Sequence, residues 1–363
     1  MEKKRNSFTI IDLFAGVGGL SYGFSRREEF RIVMANEIEK DISIAYTLNH
    51  PDVKMVNLDI KDLTEEVLKS TVGEQTIDIV IGGPPCQSYS TLGKRRMDDR
   101  ANLFVQYKRL LSVIRPRAFV FENVTGILSM DGGRLFQNVR REFEELGYQL
   151  KYKVLNALDY GVPQIRERVI LVGFLGENPY EYPEPTHGET AGLKPYVRLK
   201  DAIGDLPSIG SGEENNSYVH EPDNEFLNFV RKNGTTIATE HKSPQNGAHL
   251  IRLMQTLKDG EGKEDLPEEI RPRSGYGNTY AKLWWEKPST TITRNFACPS
   301  SSRCIHPRDS RAMSIREGAR LQSFPDDYQF YGSDGMKRLE IGNAVPPLLS
   351  IAIADKMLEA MEK

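Results

Sequence analysis

Short apolar runs, each ended by glycine, proline or an acidic residue, alternate with amphipathic stretches along the first half of the chain. Runs of this length and flanking chemistry are typical of buried strands, whereas the longer amphipathic stretches are typical of helices. The strand-like runs are residues 8–13, 31–35, 77–81, 118–121 and 169–174, and the helix-like stretches include residues 20–24 and 102–114. Strands that alternate with helices predict an α/β fold with a doubly wound, parallel sheet.

The pattern changes after residue 174. Residues 177–216 are rich in proline, glycine and acids, and few regular elements are predicted through residue 278. A helical pattern returns from residue 310, and the last apolar helix opens at Pro346-Pro347, where proline suits the first helical turn. We therefore predict one large domain formed by residues 1–176 and 306–363, with a smaller, irregular domain inserted at residues 177–305.

Composition excludes several classes of protein. The 363 residues are 39% hydrophobic and 27% charged, an ordinary globular balance, and no apolar run is long enough to span a membrane. The charged N-terminus leads directly into a strand and does not resemble a secretory signal. Three scattered cysteines, Cys86, Cys298 and Cys304, favour a reducing, intracellular compartment over a disulfide framework.

The formal net charge of −3 hides an asymmetry along the chain. Residues 177–270 contain 9 Lys and Arg against 18 Asp and Glu, and we expect this acidic stretch to face solvent. Residues 271–311 contain 8 Lys and Arg against 2 acids, interleaved with aromatic residues such as Trp284 and Trp285. A surface that binds a polyanion and an ordinary solvated face explain this basic stretch equally well.

A glycine-rich turn, FAGVGG from Phe14, follows the first predicted strand. Glycines at the carboxyl end of a parallel strand let the backbone approach a ligand, although a tight turn without a ligand explains them equally well. The full G-x-G-x-x-G fingerprint is missing, which argues against a pyrophosphate. Glu37 ends the second strand, 21 residues beyond Gly16, where an acid commonly binds ribose hydroxyls, and Asp59 could hold an adenine edge. Together these residues favour a cofactor that carries a nucleoside but no diphosphate.

Three further groups fall at the same predicted edge of the sheet. In GGPPCQ, two prolines fix the backbone before Cys86, a potential nucleophile, although a buried cysteine is normally an inert apolar residue. Glu122 ends the fourth strand and is a candidate general acid or a helix cap. Arg166 and Arg168 lie two residues apart at the start of a strand. Their guanidinium groups could converge on one anion or carbonyl, or form salt bridges on a surface strand.

Taken in order, these segments resemble the motifs of the cytosine-C5 DNA methyltransferases of bacterial restriction–modification systems. The matching segments are DLFAGVGGLSYGF, NEIEK, GGPPCQSYS, FENV, PQIRERVILVGF, REGARLQSFPD and GNAVPP. They cover both ends of the chain, and the variable region of the family falls between Gly176 and about His306. One departure is Ile38, which stands where the family usually stacks a tryptophan on the adenine, so we expect apolar packing there.

The resemblance implies S-adenosylmethionine as the cofactor and a Rossmann-like S-adenosylmethionine-dependent methyltransferase sheet. Glu37 would bind the ribose, and Asp59 with Ile60 the adenine, while Asn343 and Val345 would close the pocket from the C-terminal segment. The positions that the resemblance places at the cofactor are Phe14, Gly16, Gly18, Glu37, Ile38, Asp59, Ile60, Pro85, Leu103, Asn343 and Val345.

The resemblance also implies the reaction. The Cys86 thiolate would attack C6 of cytosine while Glu122 hydrogen-bonds or protonates N3, and C5 would then attack the methyl group. A base would remove the C5 proton, and Cys86 would leave by β-elimination. Arg168 would hold the cytosine O2, and Arg166 would assist at the site or at a phosphate. Because C6 is unreachable in a stacked duplex, the target base must be flipped out, at a cost on the order of a few kcal/mol.

The inserted domain would be the target-recognition domain, with its basic half, residues 271–311, facing DNA. Thr291-Ile292 resembles the Thr-Leu pair of the family, and the loop of residues 88–100 would close over the flipped base. The positions expected at DNA are Ser88, Lys94, Arg95, Arg96, Arg271, Arg273, Thr291 and Arg294. We expect a monomeric prokaryotic enzyme, cytoplasmic and nucleoid-associated, that acts on double-stranded DNA without a metal or a membrane. A separate restriction endonuclease could act on the same site.

Three rival functions fit less well. A tRNA cytosine methyltransferase shares the catalytic segments, but its Cys-Phe-Thr triplet is absent from the local sequence NFACPSS. A non-catalytic DNA-binding relative would have lost its nucleophile or cofactor site, whereas Cys86, Glu122 and the glycine turn are all present. A dinucleotide-dependent dehydrogenase would need the full glycine fingerprint.

Overall fold

The chain folds into two compact units. The computed structural model describes residues 7–85, 103–231, 234–273 and 277–363. The first unit, which we call the sheet unit, comprises Met1–Asn156, Glu167–Glu184 and Leu349–Lys363, and the second unit comprises Ala157–Arg166 and Pro185–Leu348. Among the described residues, no helix has the length and apolar character needed to cross a membrane.

The sheet unit is built on a sheet whose described part has seven strands. In chain order they are β1 (Phe8–Leu13), β2 (Phe30–Asn36), β3 (Lys54–Val56), β4 (Ile79–Gly82), β5 (Ala118–Val124), β6 (Tyr148–Asn156) and β7 (Glu167–Leu175). Their spatial order is β3-β2-β1-β4-β5-β7-β6. The chain therefore starts near the centre and reverses its winding between β1 and β4, which confirms the doubly wound prediction and creates a switch point at their carboxyl ends.

One strand contradicts the expectation of an entirely parallel sheet. β1 to β5 pair in parallel, but β7 pairs antiparallel with both β5 and β6. Only ten residues connect β6 to β7, fewer than a parallel crossover through a helix needs. The apolar-run pattern also misses β3 and β6, because these edge strands are short or carry exposed residues in succession.

Aromatic residues from the helix α4 (Leu103–Ile114) and from β5 pack together in the core of the sheet unit. Tyr107 packs edge-on against Phe119 and Phe121, and its hydroxyl donates to the carbonyl of Val120 over 3.0 Å. This bond satisfies the only polar atom of a fully buried ring. The helices of this unit are α1 (Gly19–Ser25), α2 (Lys40–Asn49), α3 (Glu65–Val72), α4 (Leu103–Ile114), α5 (Arg134–Glu144) and, from Leu349 onward, α11 (Pro347–Met361).

The second unit has short elements held together by buried charges. Its helices are α6 (Leu199–Ile203), α7 (Glu225–Val230), α8 (Ala248–Thr256), α9 (Ile315–Leu321) and α10 (Asp334–Asn343), and its strands β8 (Ala281–Lys282) and β9 (Arg303–Ile305) pair in parallel. Every residue of α9 is buried, and the guanidinium of Arg320 pairs there with the carboxylates of Asp205 and Asp326. Removing one partner of such a buried pair leaves an uncompensated charge.

The compact units do not follow the predicted domain boundaries. Residues 157–166 and 306–348, which the sequence places with the large domain, cluster with the second unit. These units are defined by packing, so the assignment of catalysis and recognition to separate parts of the chain stays a prediction.

Helices α1 and α11 approach closely at Gly23. A Cβ on this residue would lie 2.3 Å from the carbonyl carbon of Ser350, well inside contact distance. The Ser350 hydroxyl accepts a hydrogen bond from the Gly23 N–H over 3.0 Å and donates to the carbonyl of Leu20. The C-terminal helix is therefore fixed to α1 by a contact that only glycine permits.

We predict that Gly23→Ala destabilises the protein by about 1–3 kcal/mol, because the added methyl group must push two backbones apart. Urea unfolding of the purified variant checks this expectation. Gly126→Ala is the matched control, since a Cβ there would lie no closer than 4.0 Å to its nearest neighbour. Equal destabilisation by both substitutions would contradict the close approach.

Candidate active site

The turn after β1 adopts left-handed backbone conformations at three positions. The φ angles are 57° at Phe14, 55° at Gly16 and 93° at Gly18. The two glycines adopt them without strain, whereas Phe14 is a bulky residue in a region that L-residues rarely occupy. No atom lies within 4 Å of where a Gly16 Cβ would be, so this side of the turn is open. The predicted turn is thus present, with room for a ligand against its backbone.

Glu37 connects this turn to the end of β2. Its Oε2 accepts the N–H of Gly16 over 3.0 Å, and its Oε1 accepts the N–H of Glu39 over 2.9 Å. Burial raises the pKa of Glu37, while these backbone N–H groups oppose the rise. The next residue, Ile38, is 57% exposed, an unusual position for a large apolar side chain.

The predicted adenine-binding residues follow β3 at the same edge. Asp59 begins a 3-10 turn, Ile60–Asp62, by accepting the N–H of Lys61 over 3.0 Å, and Ile60 is buried. Arg109 from α4 donates to the carbonyls of Ile60 and Leu63, which fixes the turn. One carboxylate oxygen of Asp59 accepts the Lys61 N–H at the start of the 3-10 turn. The described contacts of its carboxylate therefore leave acceptor capacity for a ligand.

A second carboxylate, which the sequence motifs do not single out, lies beneath the turn. Asp12 of β1 is fully buried and accepts the hydroxyl of Ser21 over 2.6 Å, and Ser21 in turn lies 2.8 Å from the hydroxyl of Tyr46. Burial raises the pKa of Asp12 to about 7, although the Ser21 hydrogen bond opposes the rise, and the charge of Glu37 adds to it. The available signal was an acid within the apolar run FTIIDL.

Glu122 and Arg168 form an ion pair on the neighbouring strands β5 and β7. The Nε of Arg168 lies 2.8 Å from Oε1 of Glu122, and both side chains are 12% exposed. A Cβ on Gly83 would lie 2.7 Å from the other oxygen of Glu122, so glycine is required where the chain leaves β4. The Asn123 amide donates to the carbonyl of Pro84 over 2.9 Å. The structure thus places the predicted acid directly beside the turn that precedes Cys86.

Several predicted residues lie outside the described residues. These are the nucleophile candidate and four positions expected at DNA, namely Cys86, Ser88, Lys94, Arg95 and Arg96. Pro85 is the last described residue before this segment and is exposed, and Leu103 is the first after it and is partly buried.

Arg166 has different partners from Arg168. It is fully buried in the second unit, where it donates to the carbonyls of Ile292, Gly342 and Ala344 over 2.8–2.9 Å. Three backbone carbonyls on one guanidinium make it a structural support for the segments that carry Thr291 and Asn343. The expectation that both arginines converge on one anion is therefore not met, because each guanidinium already has its own partners.

The basic stretch of residues 271–311 is not uniformly exposed, which corrects the expectation that it faces DNA as a whole. Lys282 and Arg311 are buried, and Arg311 pairs with Glu317. Arg303 and Arg308 stack on the rings of Trp284 and Trp285, with 4.1 Å and 4.0 Å between guanidinium carbon and ring centroid. The remaining cations of the stretch are exposed: Arg271, Arg273, Lys287 and Arg294.

The other predicted positions of the second unit lie in its framework or on its surface. Thr291 is exposed and its hydroxyl donates to the carbonyl of Ile165 over 2.7 Å. Gln164 receives the N–H of Ile292 and donates to the carbonyl of Leu321. Asn343 ends α10 and is exposed, whereas Val345 is buried.

This sheet order, with one antiparallel strand and an open glycine turn facing an acid, defines the class of Rossmann-like S-adenosylmethionine-dependent methyltransferase folds. The family model of the C-5 cytosine-specific DNA methylases matches residues 8–359. The chain belongs to this family and is a DNA (cytosine-5)-methyltransferase.

The named relatives are type II methyltransferases. The chain is 34% identical to M1.HphI of Haemophilus parahaemolyticus, over 97% of this chain and 87% of that protein. It is 37% identical to M.DdeI of Desulfomicrobium norvegicum, over 96% of this chain and 88% of that protein. Among solved structures, a DNA modification methyltransferase encoded within an E. coli prophage matches with a TM-score of 0.80 at 25% identity, covering 98% of this chain and all of that one. The family resemblance found in the motifs is confirmed.

We predict that Asp12 makes stability fall as the pH rises. Its pKa in the folded protein, about 7, lies above the ordinary value of 3.8, so between these pH values only the folded state holds the proton. The asparagine of Asp12→Asn cannot titrate. The unfolding free energy of this variant, taken relative to that of the wild type, should therefore rise by on the order of a few kcal/mol between about pH 4 and 7.

Urea unfolding at a series of pH values measures this difference. Above pH 7 the gap should stay constant, because Asp12 is then charged in both states. Asp52→Asn, at an exposed position, is the control and should follow the wild-type curve. Parallel curves for Asp12→Asn and wild type would disprove the raised pKa.

Proposed function

We propose that this methyltransferase modifies cytosine in duplex DNA through Cys86 and Glu122, with S-adenosylmethionine held at the glycine turn. The observation that carries the proposal is the ion pair between Glu122 of β5 and Arg168 of β7, which lies beside Gly83 in the turn that follows β4 and precedes Cys86 in the sequence. The pairing holds a carboxylate in one orientation at the carboxyl edge of the sheet. An acid so placed can act on a base that enters next to the cysteine.

The residues at the turn fit S-adenosylmethionine. The open face of Gly16 gives the backbone room beside a ligand, and the Glu37 carboxylate keeps acceptor sites that ribose hydroxyls can use. The exposed side chain of Ile38 offers an apolar surface to an adenine, next to the turn of Asp59 and Ile60. Phe14, Gly18, Pro85, Leu103, Asn343 and Val345 complete the proposed set. When bound, the cofactor supplies an electrophilic methyl group on a sulfonium.

In the proposed mechanism, the Cys86 thiolate adds to C6 of the flipped cytosine and forms a carbon–sulfur bond. The displaced electron pair raises the nucleophilicity of C5, while Glu122 hydrogen-bonds or protonates N3. Arg168 orients Glu122 and approaches the cytosine O2. After C5 is methylated, a base removes its proton, the carbon–sulfur bond breaks, and the ring double bond is restored. Arg166 supports the segments that carry Thr291 and Asn343, through the carbonyls that it binds.

DNA contact is proposed for the second unit and for the segment after Pro85. The exposed residues Arg271, Arg273, Thr291 and Arg294 support this role, and Ser88, Lys94, Arg95 and Arg96 follow from the family motifs. We further propose that residues 1–176 and 306–363 carry catalysis and residues 177–305 recognition. A monomer acting in the cytoplasm on nucleoid DNA, beside a separate restriction endonuclease, is the arrangement that fits a type II modification enzyme.

We expect label in 5-methyldeoxycytidine when the purified protein is incubated with methyl-labelled S-adenosylmethionine and unmethylated duplex DNA. Cys86→Ala should abolish incorporation, and Glu122→Gln should lower the rate by about 10²–10⁴-fold. The loss of incorporation in Cys86→Ala and the lower rate of Glu122→Gln are measured by nucleoside analysis of the duplex. Bulk tRNA is treated and analysed in parallel. Label found only in tRNA would overturn the DNA assignment, and near-normal methylation by Cys86→Ala would overturn the mechanism.

We expect Glu37→Gln to weaken S-adenosylmethionine binding by about tenfold or more, because a charge-assisted hydrogen bond to the ribose is lost. Glutamine still offers an acceptor to the Gly16 N–H, so the turn should persist. Isothermal titration without DNA measures Kd. Glu39→Gln, at an exposed position two residues away, is the control and should bind normally. An unchanged Kd for Glu37→Gln would remove this residue from the cofactor site.

A further inference from the structure

The second unit contains a cleft of about 850 Å³ that the proposed reaction does not use. Its walls come from the N-terminal half of α8, the segment of residues 294–300 and the middle of α10. The cleft combines a buried amide, two arginines and an apolar wall, and each of these has a separate chemical meaning.

Asn246 lines the cleft and has an unpaired side-chain oxygen. The residue is 9% exposed, and its backbone N–H donates to the Ser211 hydroxyl over 2.7 Å. Its side-chain oxygen is buried and has no hydrogen-bond partner among the described residues. Buried polar groups in native proteins are almost always paired, because an unmade bond costs the full desolvation of the group. An unpaired oxygen on a residue that lines a cleft points to a ligand that supplies the missing donor.

Two arginines line the same cleft without a partner of their own. Arg294 and Arg338 form no ion pair or side-chain hydrogen bond within the described parts of the chain, whereas Arg271 donates to the carbonyl of Leu266. One acid, Glu269, also lines the cleft. Two unpaired guanidinium groups against one carboxylate favour an anionic group on the ligand.

The third feature is apolar. Leu250, Leu253 and Ile270 line the cleft and belong to one cluster that is partly or fully buried. A simple anion would make no favourable contact with such a wall, and an apolar ligand would make no ion pair with the arginines. A nucleotide uses both, because its base has flat apolar faces and a polar edge and its phosphate is anionic.

We propose that this cleft binds a nucleotide, with the base against the apolar wall, the base edge paired with Asn246, and the phosphate held by Arg294 and Arg338. An asparagine amide offers a donor and an acceptor side by side, which match the N7 and N6 groups of adenine. The nucleotide comes either from a strand of the DNA substrate, which rests on the proposed function, or from a free mononucleotide pool. The chemistry is the same for both sources.

Cys298 provides a reporter within the cleft. It is exposed, and its sulfur lies 3.3 Å and 3.5 Å from the hydroxyls of Ser300 and Ser301. Burial alone would raise the pKa of this thiol, but the two hydroxyls and the charge of Arg338 lower it below its ordinary value. Cys304 is buried and its pKa is raised to about 12, so it serves as an internal reference that should not react.

The test measures the alkylation rate of Cys298 by iodoacetamide, read by peptide mass spectrometry on the full-length protein without S-adenosylmethionine. We expect a bound nucleotide to slow the reaction at least severalfold. One arm adds duplex and single-stranded oligonucleotides, and the other adds adenosine monophosphate or guanosine monophosphate. Protection by oligonucleotides alone assigns the cleft to the DNA strand, and protection by mononucleotides assigns it to a free ligand.

Variants separate occupancy of the cleft from DNA that binds nearby. Asn246→Leu and Arg338→Gln should each weaken binding about tenfold, measured by fluorescence anisotropy or calorimetry, and should remove the protection of Cys298. Arg252→Gln on α8 makes the same charge change at an exposed residue outside the cleft and should behave as wild type. Asn246→Leu removes an unpaired buried oxygen, so its unfolding midpoint should be unchanged or higher.

Undiminished alkylation in both arms would overturn the proposal. So would wild-type binding and protection in Asn246→Leu and Arg338→Gln. Neither readout depends on methyl transfer, so these failures are distinct from a failure of the proposed function.

Discussion

The Glu37 carboxylate joins the ends of β1 and β2, and it helps to hold the glycine turn together with the backbone hydrogen bonds from Gly18 to Ala15 and from Ala15 to Asn36. It accepts the N–H of Gly16 with one oxygen and that of Glu39 with the other. A carboxylate that is largely withdrawn from water is stable only when it is hydrogen-bonded, and a left-handed turn needs acceptors for its N–H groups. The N–H groups of Gly16 and Glu39 supply the donors that the carboxylate needs, and the carboxylate supplies their acceptor. The acid proposed to bind a ribose is therefore also one of the residues that hold the turn.

A second constraint acts where β4 approaches its neighbours. A Cβ on Gly82 would lie 2.3 Å from the carbonyl oxygen of Leu13, and one on Gly83 would lie 2.7 Å from the Glu122 carboxylate. Two consecutive glycines are therefore needed for the chain to pass between β1 and β5. The prolines that follow restrict the backbone at once. The segment GGPP thus restricts the backbone as far as Pro85, beside an acid that Gly83 leaves room for.

The sequence correctly predicts the parts of the structure that are built from residue types with a single structural role. Continuous apolar runs predict the central strands, and glycines with an acid predict the turn and Glu37. Periodicity does not reveal β3 or β6, since edge strands need no continuous apolar face. Spacing does not distinguish Arg166 from Arg168, because a guanidinium serves a carboxylate or a set of carbonyls equally well and tertiary contacts decide which.

The same ambiguity explains why counting charges overstates the number of cations that the second unit could offer to a polyanion. Arg311 is neutralised by Glu317, and Arg320 by Asp205 and Asp326, all within the fold. These buried pairs are not available to a polyanion, and their desolvation is offset only by their partners. A polyanion bound by the second unit, as proposed, would therefore contact cations that the fold leaves unpaired. Arg294 and Arg338 meet this condition within the described residues, so the positions that matter for a ligand are set by what the framework does not use.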